Sequence, residues 1–190
     1  MLCCDIRSIV FLFYGEKMQI ILDGEATRRT LLRLSHQIIE KNKDKNELYI
    51  IGICRRGVSL ANIIADNVKN LSDKAVTTGK VDVTLYRDDI LKKAQQPEVH
   101  GTDIPFDVNG KTIILVDDVL YTGRTARAAI DAIIKLGRPA CIQYAVLVDR
   151  GHRELPIRGD YVGKNIPTSA NERVYVQVPE YDGEFQVTVN

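Results

Sequence analysis

Leu31, Leu34 and Ile38 recur at helical spacing behind Asp23, a residue type that caps helix N-termini, and the pattern dissolves in the polar run 41–46. Residues 48–54 form an unbroken apolar run closed by Arg55-Arg56-Gly57, the pattern of a strand buried on both faces. A second helix is expected over 59–70. Alternation over 81–86 predicts another strand, after which 87–110 is polar, holds Pro97 and Pro105, and shows no period. Loops longer than about 12–15 residues in a compact domain tend to be functional, so this stretch is a candidate lid.

The apolar pattern resumes as a strand over 112–116 and a helix over 125–136. Ala126, Ala129, Ile130, Ile133 and Ile134 are expected to face inward, with Gly137 just past the helix end and Pro139 beyond. Residues 142–148 read as another buried strand and 149–171 as irregular. Val174, Val176 and Val178 alternate, as do Phe185, Val187 and Val189, with Asp182-Gly183 between them, which predicts a C-terminal β-hairpin. Strands alternating with helices predict an α/β fold with a mainly parallel central sheet flanked by helices. Ligands in such folds bind at the carboxyl ends of the strands, which singles out 55–57, 117–125 and 149–152.

Composition narrows the function classes. The 190 residues are 45% hydrophobic, and 26 Lys and Arg against 25 Asp and Glu leave a net charge of +1, which excludes a chain basic all over. Any nucleic-acid contact must therefore rest on a local patch. No repeat or linker divides the chain after Met18, so 18–190 is expected to be one domain. Residues 1–17 read as an extension outside the fold: the apolar run 9–13 falls short of the ~20 residues that span a bilayer, and Asp5 sits where a signal peptide is positive. No membrane segment is expected. Cys3, Cys4, Cys54 and Cys141 lack C-x-x-C spacing, and the last two lie in apolar runs, as expected of a reduced, cytoplasmic protein.

The densest chemistry follows the strand at 112–116: Asp117-Asp118-Val119-Leu120-Tyr121-Thr122-Gly123-Arg124-Thr125. The turn 122–125 brings backbone N–H groups and two hydroxyls to a helix N-terminus, where the dipole favours a phosphate monoester. Gly123 permits close approach of the anion. The carboxylates of Asp117 and Asp118 suit vicinal hydroxyls, each accepting hydrogen bonds from them. Together they ask for a ribose 5-phosphate. Arg55 and Arg56 beside Gly57 suit bidentate phosphate contacts, although alone they would read as a solvated strand end.

This segment resembles the phosphoribosyl diphosphate (PRPP) motif of the type I phosphoribosyltransferases. With residues 83–89, 148–157 and 161–169, the chain from Met18 to Asn190 resembles the PyrR family, which regulates pyrimidine operons by binding messenger RNA and also acts as a uracil phosphoribosyltransferase. The resemblance implies the type I phosphoribosyltransferase fold, with a small hood. It implies that Asp117 and Asp118 hold the ribose hydroxyls, that Thr122, Gly123, Arg124 and Thr125 hold the 5-phosphate, and that Arg55, Arg56 and Gly57 form the diphosphate loop. Arg87 and the 88–109 loop correspond to a catalytic lid, and Val148, Asp149, Arg150, Gly151 and His152 to the uracil region. For His152, contact with base, with RNA or with neither stays open. Magnesium is expected to arrive with the diphosphate, without a metal-ligand cluster in the protein. Purine enzymes of the class commonly carry Asp where this chain has Tyr121, so the expected reaction is uracil plus PRPP giving UMP and diphosphate.

A second activity is expected on the surface. Residues 28–45 hold six Lys and Arg against two acids, with Arg29, Arg33 and His36 on one helical face, while Arg150, Arg153, Arg158 and Lys164 face only Glu154 and Asp160. On charge alone these read as solvated faces. The PyrR resemblance makes His36, Arg153, Arg158 and Lys164 an RNA-binding face for a pyrimidine-operon leader, with Leu32 a departure where relatives can carry a polar residue. The alternative is a salvage enzyme without an RNA role. The resemblance also implies a homo-oligomer, with the terminal hairpin and the exposed helix face as candidate interfaces.

Overall fold

The computed structural model describes residues 18–83 and 101–190. Its elements run β1 (Gln19–Leu22), α1 (Gly24–Lys41), β2 (Glu47–Ile53), α2 (Arg56–Leu71), β3 (Ala75–Val81), β4 (Thr112–Leu120), α3 (Arg124–Leu136), β5 (Cys141–Asp149), β6 (Tyr161–Asn165), β7 (Val174–Gln177), α4 (Pro179–Asp182) and β8 (Gln186–Val189). Five strands form a parallel sheet in the order β3-β2-β4-β5-β6, and β1-β8-β7 form a separate antiparallel sheet, the hood.

The continuous apolar runs are explained by burial on both faces. Leu48 and Ile50 of β2, Ile114 and Val116 of β4, and Ala145 and Leu147 of β5 join Leu31, Leu34 and Ile38 of α1 and Leu60, Ile64 and Val68 of α2 in one core. Their neighbours Tyr49, Ile51, Ile113, Leu115, Tyr144 and Val146 pack with Ala126, Ala129 and Ile133 of α3 in the other. Alternation along each strand thus feeds two apolar layers, and each fully buried Leu or Ile contributes about 1.5–3 kcal/mol. The hood shares the first core through Leu22, Val176, Val178, Phe185 and Val187.

Asp23 caps α1 as expected, accepting from the Ala26 N–H at 2.8 Å. Several expectations need correcting. The third strand is Ala75–Val81 rather than 81–86, of which only 81–83 are described. It is an edge strand, half-buried over most of its length, so Thr77, Thr78, Gly79 and Lys80 lack the apolar signature. Residues 101–104 cross that edge, with Lys80 and Asp103 exchanging backbone hydrogen bonds of 2.8 and 2.9 Å. β6 occupies part of the stretch read as irregular and β1 part of the opening segment, both edge strands too short to show a period. The terminal hairpin is present, but its strands are joined through α4 rather than a two-residue turn. Ile134 is exposed, not inward, and Cys141 is exposed because it opens β5. Residues 1–17, Arg87 and most of the expected lid lie outside the described residues.

Candidate active site

Three segments distant in sequence meet at the carboxyl ends of β2, β4 and β5. They line a pocket of about 360 Å³ whose walls include Arg55, Arg56 and Gly57, the run 117–123 with Thr125, and Tyr144 and Arg150. The acid pair lies inside β4, which continues to Leu120 and pairs with β5 as far as Asp149. Successive strand positions face opposite sides, so the two carboxylates are not equivalent. Asp117 is buried against Tyr144, whose hydroxyl donates to Oδ2 at 2.9 Å, while the Asp118 N–H donates to Oδ1 at 2.9 Å. Burial, then the neighbouring charge of Asp118, holds the Asp117 carboxyl well above its ordinary range. Burial, then Asp117, likewise pushes the Tyr144 phenol up. Asp118 is more open, and its Oδ1 accepts from the Val119 N–H at 2.7 Å.

The turn that follows has the backbone an anion site needs. Gly123 caps α3 at φ 91°, a left-handed conformation costly for other residues, and a Cβ there would meet Leu155 Cβ at 3.3 Å. Thr122 Oγ1 accepts from the Arg124 N–H at 3.3 Å, and its carbonyl accepts from the N–H groups of Glu154 and Leu155. Arg124 sends its Nε to Glu154 at 2.6 Å, and Thr122, Gly123 and Thr125 line the pocket.

Gly57 packs the Arg-Arg-Gly loop onto the acid-bearing strand. A Cβ there would lie 2.7 Å from the Val116 carbonyl oxygen and 3.4 Å from Asp117 Cα. The guanidinium of Arg56 is held by a carboxylate that sequence reading took only for a turn residue: Nε and Nη2 donate to Asp182 at 3.1 and 2.7 Å. That pair holds Asp182 below its ordinary range and raises Arg56.

Of the five residues of the expected base region, Arg150 alone lines the pocket, and the region's hydrogen bonds serve as scaffolding. Arg150 is buried, donates to Thr168 Oγ1 and to the carbonyls of Ser169 and Glu172, and lies 4.1 Å from the Tyr121 ring centroid. His152 meets the Tyr121 ring edge-on and has Nε2 2.6 Å from the Thr168 carbonyl oxygen. Val148 is buried in the core, Gly151 donates its N–H to Asp149 at 2.9 Å, and Asp149 also takes the Arg153 guanidinium.

The basic residues divide. His36, Arg158 and Lys164 are exposed, and α1 lies along β6 at the sheet edge, where Arg33 donates to the carbonyls of Gly163 and Val162. Arg153 instead spends its guanidinium on Asp149 and on the carbonyls of Ile157, Tyr121 and Gly151. Sequence reasoning missed Tyr144, which reads as core within an apolar strand, and Asp182, whose Asp-Gly context reads as a turn.

A doubly covered parallel sheet, a hood, and an acid pair leading into a Thr-Gly-x-Thr helix start define a type I phosphoribosyltransferase. Residues 18–182 match the Phosphoribosyl transferase domain family. The chain is 56% identical over 174 residues to the Bifunctional protein PyrR of Pelotomaculum thermopropionicum, covering 92% of this chain and 96% of that one. It is 54% identical over 172 residues to the Bifunctional protein PyrR of Bacillus subtilis, covering 90% and 95%. Among solved structures, a hypoxanthine phosphoribosyltransferase from Staphylococcus aureus shares the fold with a TM-score of 0.68 at 18% identity, over 89% of this chain and 90% of that one. The chain belongs to the PyrR family.

Proposed function

We propose that the chain transfers the phosphoribosyl group of PRPP to uracil, giving UMP and diphosphate, and that it binds pyrimidine-operon leader RNA in a uridine-nucleotide-dependent manner. The observation that carries the enzymatic reading is the single pocket shared by the Arg-Arg-Gly loop, the acid pair and the 122–125 turn. In it, Asp118 and the more buried Asp117 take the ribose hydroxyls, the turn takes the 5-phosphate, and Arg55 and Arg56 face the diphosphate. The C1–diphosphate bond breaks as uracil N1 bonds to C1, and the N1 proton is released. Charge develops on the departing diphosphate, so preorganised guanidiniums contribute most where that charge appears. Magnesium would come with the PRPP substrate, held by its diphosphate, and would supply further positive charge beside Arg55 and Arg56. Water exclusion at an oxocarbenium-like centre is the part the family resemblance gives to Arg87 and the lid; residues 101–109 of that stretch pack against β3 and the second core instead, with Asp103 paired to Lys80, Ile104 and Phe106 against that core and Val108 buried in it.

Uracil is read as the base because Tyr121, three positions past Asp118, has a reference pKa of about 10 and is a poor acid or base for a purine N7. Release of diphosphate with hypoxanthine and not with uracil would overturn the assignment. The RNA reading rests on exposed His36, Arg158 and Lys164, with Arg153 acting through the loop it braces. Gel-shift titration of a pyrimidine-operon leader with and without UMP tests it: nucleotide-dependent retention supports the regulator, and none leaves a salvage enzyme. We place this activity on one domain, residues 18–190, working as a cytoplasmic homo-oligomer. Among the described residues no helix is long and apolar enough to cross a membrane.

A further inference from the structure

Arg56 is held by one carboxylate and shares the pocket with another. Asp182 takes its Nε and Nη2 in a fork, and Asp118 lines the same pocket as Arg56. Asp182 belongs to α4, in the hood, and is itself fixed, since its Oδ2 also accepts from the Val178 N–H at 2.8 Å. Its side chain is 16% exposed against 39% for Arg56, so the acid is the anchored partner and the arginine the one that reaches out. Arg56, Asp117 and Asp118 line one pocket, and Val174 of the hood lines it as well. Without its fork partner the guanidinium is free to swing to Asp118 and bridge the cavity, neutralising the carboxylate intended for a ribose hydroxyl.

We propose that Asp182 is a positioning residue: it holds Arg56 off the acid pair and presents the remaining Nη1 side to the diphosphate of PRPP. The hood then completes the diphosphate site through Arg56. A guanidinium held in a fork loses less freedom when it binds a second anion, which offsets the charge that Asp182 withdraws. The inference rests on the reading that this pocket takes PRPP.

Asp182→Asn is suited to the test. With its oxygen in the Oδ2 place it still accepts from Val178 and from Arg56 Nε, while its NH2 group opposes Nη2 and releases the fork. Binding of magnesium-PRPP and of UMP is measured for the wild-type chain, Asp182→Asn, Arg56→Ala and the double variant. The expected result is about a fivefold weaker PRPP affinity for Asp182→Asn, the scale of one charged contact discounted for the exposure of Arg56. UMP affinity, which reads the 5-phosphate turn, stays within about twofold, and in the Arg56→Ala background Asp182→Asn changes PRPP affinity by less than about twofold. Equal loss of PRPP and UMP, an undiminished effect without Arg56, or tighter PRPP binding would each overturn the proposal. Should Asp182→Asn melt below the assay temperature, Arg56→Lys replaces it: Lys cannot form the fork, and PRPP must weaken while UMP does not. A wild-type chain that binds UMP but no PRPP would instead defeat the reading of the pocket itself.

Discussion

Tyr144→Phe tests the acid pair most directly. The substitution removes only a hydroxyl, since the new ring fills the old ring's place and opens no larger cavity. Tyr144 is 4% exposed and Asp117 5%, and their O–H···O bond is 2.9 Å, so the lost interaction lies in a desolvated site. Asp117 Oδ1 keeps the Asp118 N–H, whereas Oδ2 loses the donor that reaches it among the described residues. A hydrogen bond to a charged group contributes about 1.5–3 kcal/mol, so a loss of about 2 kcal/mol is expected where Asp117 is ionised. With urea slopes of about 1–3 kcal/mol/M, the midpoint falls by roughly 1 M. The pH dependence has a definite sign. Burial and the Asp118 charge raise the Asp117 carboxyl above its ordinary 3.8, and the Tyr144 hydrogen bond acts against that rise.

A raised acid favours the fold below its unfolded value and loses that contribution as pH climbs through the folded value. Without the hydroxyl the folded value rises further, so the gap between variant and wild type is small below the wild-type folded value and widens as pH climbs through it. The charged groups bearing on the pair are Asp118 from β4, Arg153 acting on Tyr144, and Arg56 acting on Asp118, and all three are unchanged in the variant. The Tyr144 phenol is itself held well above 10 and stays neutral throughout. PRPP binding should follow, its acid limb moving to higher pH. Urea melts on both sides of the Asp117 folded value and PRPP titrations give the two readouts. A gap constant with pH, or an unmoved acid limb, would refute the account of Asp117.

Gly57→Ala places a Cβ 2.7 Å from the Val116 carbonyl oxygen, and overpacking of about 1–3 kcal/mol together with reduced PRPP affinity is expected in melts and titrations. Arg150→Lys cannot reproduce the fork to Thr168 and the carbonyls of Ser169 and Glu172, so amide exchange over 168–172 should accelerate and thermal stability fall by about 1–3 kcal/mol. Arg158→Gln and Lys164→Gln remove exposed cations only: each should lower the salt slope of leader-RNA binding by about 0.7 while leaving UMP synthesis within about twofold. Arg153→Gln should impair both activities, because its guanidinium braces the Tyr121 and Ile157 carbonyls beside the pocket.

The order of helices and buried strands could be read from the chain because β2, β4 and β5 are covered on both faces and their sequences carry the evidence without interruption. β3 and β6 are edges, so β6 reads as loop throughout, and the strand expected at 81–86, where the alternation is stronger, meets β3 only at Val81. The acid pair and phosphate turn were legible since they are contiguous and each residue type has its own chemistry. Tyr144 and Asp182 were not, because each acquires its role through a long-range partner, Asp117 at a separation of 27 residues and Arg56 at 126. Arg150 and Arg153 were legible as cations near the pocket, but their use as internal clamps depends on carbonyls that a sequence does not locate.

Arg33 carries a second duty besides its place on the basic face of α1. It donates to backbone carbonyls of β6, the outermost strand of the parallel sheet, where unmet acceptors invite pairing with another chain. A basic residue on the helix face proposed to meet RNA thereby also covers acceptors of an edge strand. Loss of RNA binding on substitution of Arg33 would have to be read beside the aggregation state of the protein.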